Sequence, residues 1–105
     1  MKSFVKYIIL SSLVLLTSCD YYNKMLVKKD QYQGVIVNKF DDIENHNVSA
    51  FKIKTDNDTI NEAADFFPNS WEYAEVGDSI IKMKGKLYFT IKKKNGDLKD
   101  FYFYP

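Results

Sequence analysis

From Tyr32 onward, apolar and polar residues alternate with a period of two, and this alternation constrains the fold more than any other feature of the chain. Tyr32–Phe40 (YQGVIVNKF) is rich in β-branched residues, and Ser49–Lys54 (SAFKIK) sets Phe51 and Ile53 on one face against Lys52 and Lys54 on the other. Strands of this kind bury one face only, so several must share a core. The polar loop Asp41–Asn47 separates the first two. Thr55–Thr59 (TDNDT) is a turn whose Asp and Asn side chains bond their own backbone, and Thr59-Ile60 begins a third strand.

Asn61–Val76 is the helical candidate of this region, and Pro68 divides it because proline has no amide hydrogen to donate. What remains is a short helix over Ser70–Glu75, with Ser70 as its N-cap and Trp71 and Ala74 facing the sheet. Val76–Lys84 and Leu87–Lys94 predict two more strands. Asn95-Gly96 predicts a type I′ turn, with φ positive at both central residues, leading into Asp97–Tyr104. Three strands, one short helix and two or three further strands resemble a small OB-like or SH3-like barrel of five to six strands; an open sheet carrying one helix is the alternative.

The first twenty residues belong to a different logic. Met1–Lys6 carries two lysines and no acid, Tyr7–Leu16 is apolar apart from Ser11 and Ser12, and Thr17-Ser18-Cys19 is small and polar. That is the order of a secretory signal, and the run between Lys6 and Asp20 is shorter than the roughly 20 apolar residues a spanning helix needs. Leu16-Thr17-Ser18-Cys19 resembles the lipobox of bacterial lipoproteins. The resemblance implies cleavage between Ser18 and Cys19, a diacylglyceryl group on the Cys19 sulfur and acylation, commonly with palmitate, of the new amino terminus. Only a thiolate is nucleophilic enough for that alkylation at neutral pH. Asp20 resembles an inner-membrane retention signal of some Gram-negative lineages, a rule that does not hold in all of them, so both membranes stay open. The expected organisation is a signal peptide over 1–18, a lipidated terminus and tether over 19–31, and a single β-rich domain over 32–105, lipid-anchored in the cell envelope and facing the periplasm or the cell surface.

Loss of Lys2 and Lys6 with the signal leaves 13 lysines against 14 acidic residues, so the mature chain has a net charge of −1 and no strongly basic footprint for nucleic acid. There is no arginine, the usual residue for bidentate phosphate or carboxylate recognition. With Cys19 lipidated, no thiol is left for a disulfide, a redox pair or a metal.

Candidate sites are few. Asp41, Asp42, Glu44 and His46 gather possible ligands for a hard cation but lack the spacing of a calcium loop, and a solvated hairpin loop explains them more simply. His46 is the sole histidine, and no nucleophile motif accompanies it. The reading is non-enzymatic, with no cofactor. Lys52, Lys54, Lys82, Lys84, Lys86 and Lys92–Lys94, with Tyr88, Tyr102 and Tyr104, predict a basic, aromatic sheet face whose plain explanation is a strand's solvent side. Asp58-Thr59-Ile60 and Asp78-Ser79-Ile80 resemble a periplasmic O-glycosylation sequon, which makes Thr59 and Ser79 candidate modification sites. Phe66, Phe67, Trp71 and Tyr73 offer an apolar surface or, alternatively, core. The expected function is a membrane-anchored, non-catalytic binding or structural module for an envelope protein or glycan. The alternatives are a periplasmic inhibitor or immunity protein and, third, a hydrolase or metal-dependent enzyme.

Overall fold

The computed structural model describes residues 21–104. The expected signal peptide, Ser18/Cys19 cleavage site and lipidation site lie outside the described residues. Residues 21–29 are helical (α1), where the sequence reading has a tether of no regular period. Val27 of this helix packs against the core, so its second half is part of the domain.

Six antiparallel strands form one sheet in the order β3-β2-β1-β4-β5-β6. They are β1 (Tyr32–Asp42), β2 (Val48–Lys54), β3 (Thr59–Ala63), β4 (Ser79–Lys82), β5 (Tyr88–Lys92) and β6 (Leu98–Tyr102). A single-turn helix, α2 (Ser70–Tyr73), lies between β3 and β4 as expected. The alternation does what its period dictates: Phe51 and Ile53 of β2, Ile80 of β4, Phe89 and Ile91 of β5 and Phe101 of β6 all point inward and are buried. The sheet curls until β2 and β5, which are not neighbours in it, touch through Phe51 and Phe89 edge to face at 6.3 Å. Phe67, from the β3–α2 connection, covers Phe89 at 4.3 Å between ring centroids.

Two local features set the register. At Gly34, a Cβ would fall inside van der Waals contact with the Lys54 carbonyl oxygen and within 2.8 Å of Ile53 Cγ2, so only glycine lets β1 and β2 approach this closely. Two residues later the β1–β2 register slips between Ile36 and Asn38. This bulge leaves Val37 on the outside and brings Lys39, not Asn38, opposite the buried Phe51.

Two turns differ from expectation. Ser70 is not the cap of α2: Asn69 holds that position with φ 70°, and Ser70 is the first helical residue, fully buried. The Ser70 amide closes a turn onto the Phe67 carbonyl, which rotates its side chain inward. The β5–β6 hairpin is not type I′ either. Gly96 alone has a positive φ of 98°; its amide bonds to the Lys93 carbonyl, and the Lys93 amide bonds to the Asp97 carbonyl. This is the three-residue connection in which a type I turn is followed by a left-handed glycine. Asn95 instead accepts the Asp97 amide on its Oδ1 at 3.0 Å.

Gly34→Ala is expected to lower the unfolding free energy by about 2 kcal/mol or more. Gln33→Ala, one residue away on the exposed side, is expected to stay within about 0.5 kcal/mol. Urea unfolding of the two variants beside the wild type checks both.

Candidate functional site

Where α1 meets the sheet, a cavity of ≈ 160 Å³ opens between Leu26 and Val27 of the helix, Tyr32 at the start of β1, Glu62 and Ala63 on β3, and Lys82 at the end of β4. Phe66 and Phe67 complete an apolar wall, and Asp30, at the exit of α1, lies on the polar side. Sheet parity explains this company. Lys82 follows Ile80 by two residues and pairs with Tyr32 and Phe89, so it points into the core face and is only 2% exposed.

The buried ammonium of Lys82 is held by main-chain oxygens. Its Nζ donates to the Asp30 carbonyl at 3.1 Å and to the Met83 carbonyl at 2.8 Å, tying the end of α1 to the end of β4. Burial pushes the Lys82 pKa down, partly offset by the charges of Asp30 and Glu62. Burial and the neighbouring Asp30 push the Glu62 carboxyl up to about 7, against the pull of Lys82. Asp30 is likewise raised by burial against Lys82, and Tyr32 by burial with Glu62 and Asp30 beside it. The site therefore combines apolar walls, one ammonium and a carboxyl that titrates near neutrality. It has the means to take up or release a proton and to hold a small, mostly apolar molecule by a polar end.

A second charged centre is structural. Asp78, 1% exposed, accepts the Glu75 amide at 2.9 Å and the Lys93 ammonium at 2.7 Å on Oδ2. Lys93 also donates to the Tyr73 carbonyl at 2.6 Å. Burial lowers the Lys93 pKa, but the Asp78 hydrogen bond and charge, with Glu75 and Tyr73, outweigh it and hold the group above the ordinary lysine value.

The expected lysine face is not one surface. Lys82 is buried in the cavity wall and Lys93 is spent on Asp78. Lys84 and Lys86 lie in the β4–β5 turn rather than on a strand. Lys54, Lys92 and Lys94 remain exposed, and Tyr88 and Tyr102 pair on the outer face at 5.2 Å. His46 sits exposed at the β1–β2 turn with φ 59°, away from the cavity lining. Among the described residues no group of three or more His, Cys, Asp and Glu is placed to hold a metal ion. Thr59 is exposed at the start of β3; Ser79 is half-buried on β4, between β1 and β5. Of the aromatic group, Phe67 is core, Trp71 and Tyr73 are half-buried against it, and Phe66 is exposed while touching Phe103 at 5.6 Å. The chain matches no known family model, and no curated protein or solved structure matches it significantly.

Because Glu62 binds its proton more tightly folded than unfolded, its contribution to stability is present at low pH and is lost as pH rises from 4.5 to about 7. Relative to wild type, Glu62→Gln is expected to gain about 1–2 kcal/mol of stability on going from about pH 5 to about pH 8, a figure discounted for solvent access to the side chain. Denaturant unfolding of both proteins at the two pH values checks it. Lys82→Met is expected to raise amide exchange in residues 21–30, because both carbonyl partners at the end of α1 and β4 lose their donor.

Proposed function

We propose that the chain is a bacterial envelope lipoprotein, anchored through Cys19, whose β-rich domain over 32–105, with the second half of α1 packed on it, is a non-catalytic binding or structural module. The observation that carries this reading is the run Tyr7–Leu16 ending in Leu16-Thr17-Ser18-Cys19. The domain fits such a role: it is a small antiparallel sheet stabilised by its aromatic core. Among the described residues no helix is long and apolar enough to cross a membrane. A partner of this module is an envelope protein or glycan.

A specific feature favours an inhibitor or immunity role within the same anchored architecture. The β1–β2 connection forms a short 3-10 turn, Ile43–Asn45, closed by the Asn47 amide on the Asp42 carbonyl at 2.8 Å. Ile43 at its start is 81% exposed, between Asp42 and Glu44. A rigid turn presenting one apolar side chain within an acidic rim is a shape that fits a basic cleft.

Cys19→Ala is expected to abolish incorporation of labelled palmitate and to leave the unprocessed precursor. Labelling of cells followed by intact-mass measurement of the purified chain checks this; a wild-type chain with an unmodified Cys19 would sink the anchored reading. Crosslinking in intact cells with Ile43→Lys beside wild type tests the second feature, the expected result being loss of one dominant crosslinked protein.

A further inference from the structure

We infer that the end of the domain carrying α1 and the β4–β5 turn docks on anionic lipid headgroups, so that the lipid anchor and a lysine cluster together fix the orientation of the domain on the bilayer. The inference rests on the lipoprotein reading for the position of the anchor. Its own basis is a juxtaposition that the sequence does not show. Lys28 and Lys29 lie at the end of α1, and Lys84 and Lys86 lie more than fifty residues later in the β4–β5 turn. The Gly85 amide donates to the Lys28 carbonyl at 2.7 Å, and the Lys82 ammonium bridges the Asp30 and Met83 carbonyls. These bonds hold the two lysine pairs at one end of the molecule, and all four side chains are exposed.

Of the acidic groups at this end, Glu62 is half-buried in the cavity wall, while Asp30 and, in the β2–β3 turn that the Val35–Lys54 pairing brings to the same end of β1, Asp56 and Asp58 are exposed; with Lys24 of α1 there are five exposed lysines against these three carboxylates, so the balance stays positive. Exposed amphipathic or apolar side chains accompany them: Met83 (56%) precedes Lys84, and Tyr21 (65%) and Tyr22 (63%) begin α1, about two turns before Lys28 and Lys29. Tyrosine beside lysine is the composition that settles at the headgroup level of a membrane. Connectivity places the anchor at the same end, since Cys19 precedes Tyr21 by two residues and two trans peptides span at most about 7 Å. The far end carries the opposite sign: Asp41, Asp42 and Glu44 belong to the β1–β2 hairpin, and Asp65 bonds to the Ser49 amide there. A mature chain of net charge −1 is thus polarised along β1, basic at the anchored end and acidic at the other. Each lysine held at an anionic surface adds measurably to binding, and four suffice to bias orientation.

The test uses the purified lipidated chain in vesicles of phosphatidylcholine alone or of phosphatidylcholine mixed equally with phosphatidylglycerol. Lysine labelling by a water-soluble amine reagent is read by mass spectrometry. The expected result is labelling of Lys28, Lys29, Lys84 and Lys86 reduced at least about threefold on the anionic vesicles, with Lys54 and Lys92 unchanged. The variant K28E/K29E/K84E/K86E, or K84E/K86E where the quadruple variant fails to fold, is expected to lose the lipid dependence at its remaining basic positions. Equal labelling on the two vesicle types overturns the inference, as does protection of Lys54 and Lys92 to the same degree. Intact mass reports separately on the anchor. If Cys19 carries no lipid, co-sedimentation of the free chain with the same vesicles decides: binding to the anionic vesicles that the charge variant lacks supports docking, and no binding overturns it.

Discussion

The curl of the sheet depends on Phe89. Its ring meets Phe51 from β2, Phe67 from the β3–α2 connection and Phe101 from β6, at 6.3, 4.3 and 6.0 Å between centroids. These partners come from across the sheet, from its cover and from its last strand. One side chain therefore converts a flat ladder of hairpins into an enclosed core. Full burial of a phenylalanine is worth about 2–3 kcal/mol, and each favourable ring pair adds about 0.5–1.5 kcal/mol. Cys19 is the chain's one cysteine, so no disulfide within the chain supplements this. A domain of this size has little other core to rely on.

Lysine takes a second structural part. The carbonyls that a one-turn helix leaves unpaired at its C-terminus are claimed by strands: Lys93 Nζ takes the Tyr73 carbonyl and Lys39 Nζ takes the Ala74 carbonyl at 2.8 Å. Lys39 also lies 4.5 Å above the Trp71 ring, and Lys93 lies 4.4 Å above that of Tyr73. Lys82 does the same for the end of α1. In each case a compact ammonium with three donors satisfies main-chain oxygens near the end of a helix, and the positive charge complements the negative end of that helix. The bulge in β1 is what makes Lys39 available, because without the slip at Val37 the inward position opposite Phe51 would fall on Asn38.

Period-two alternation made the strands and the buried set legible, since parity alone assigns Phe51, Ile53, Phe89 and Ile91 to one face. The same rule places Lys82 with Ile80, a signal that treating every strand lysine as a solvent residue overrides. The bulge was not legible, because Val35, Ile36 and Val37 are equally apolar and nothing local says which is extra. Ser70 misled for a related reason: capping preference is local, whereas the turn from Phe67 to Ser70 is set by packing on Phe89. Asn95-Gly96 fits two hairpin geometries, and the side-chain bond from Asn95 to the Asp97 amide accompanies the one in which Asn95 keeps a negative φ. The helix over 21–29 carries its core contact through Val27, too little for a periodic signal in so short a segment.

The cavity lined by Glu62 and Lys82 and the lysine pairs share one end of the molecule, and this couples two features that the sequence scatters over sixty residues. Lys82 forms part of the cavity wall and at the same time ties the β4–β5 turn to the end of α1. Whatever alters its donors alters the placement of Lys84 and Lys86 relative to Lys28. Deprotonation of Glu62 adds a negative charge to the cavity wall that Lys82 shares, near neutral pH. It opposes the positive field of this end while favouring the charged form of Lys82. The eleven residues of β1 separate this end from the Ile43 turn by about 30 Å. That distance exceeds the Debye length of about 8 Å at physiological ionic strength. The acidic hairpin is therefore electrostatically independent of events at the cavity, and the two ends can meet different partners without interfering through charge.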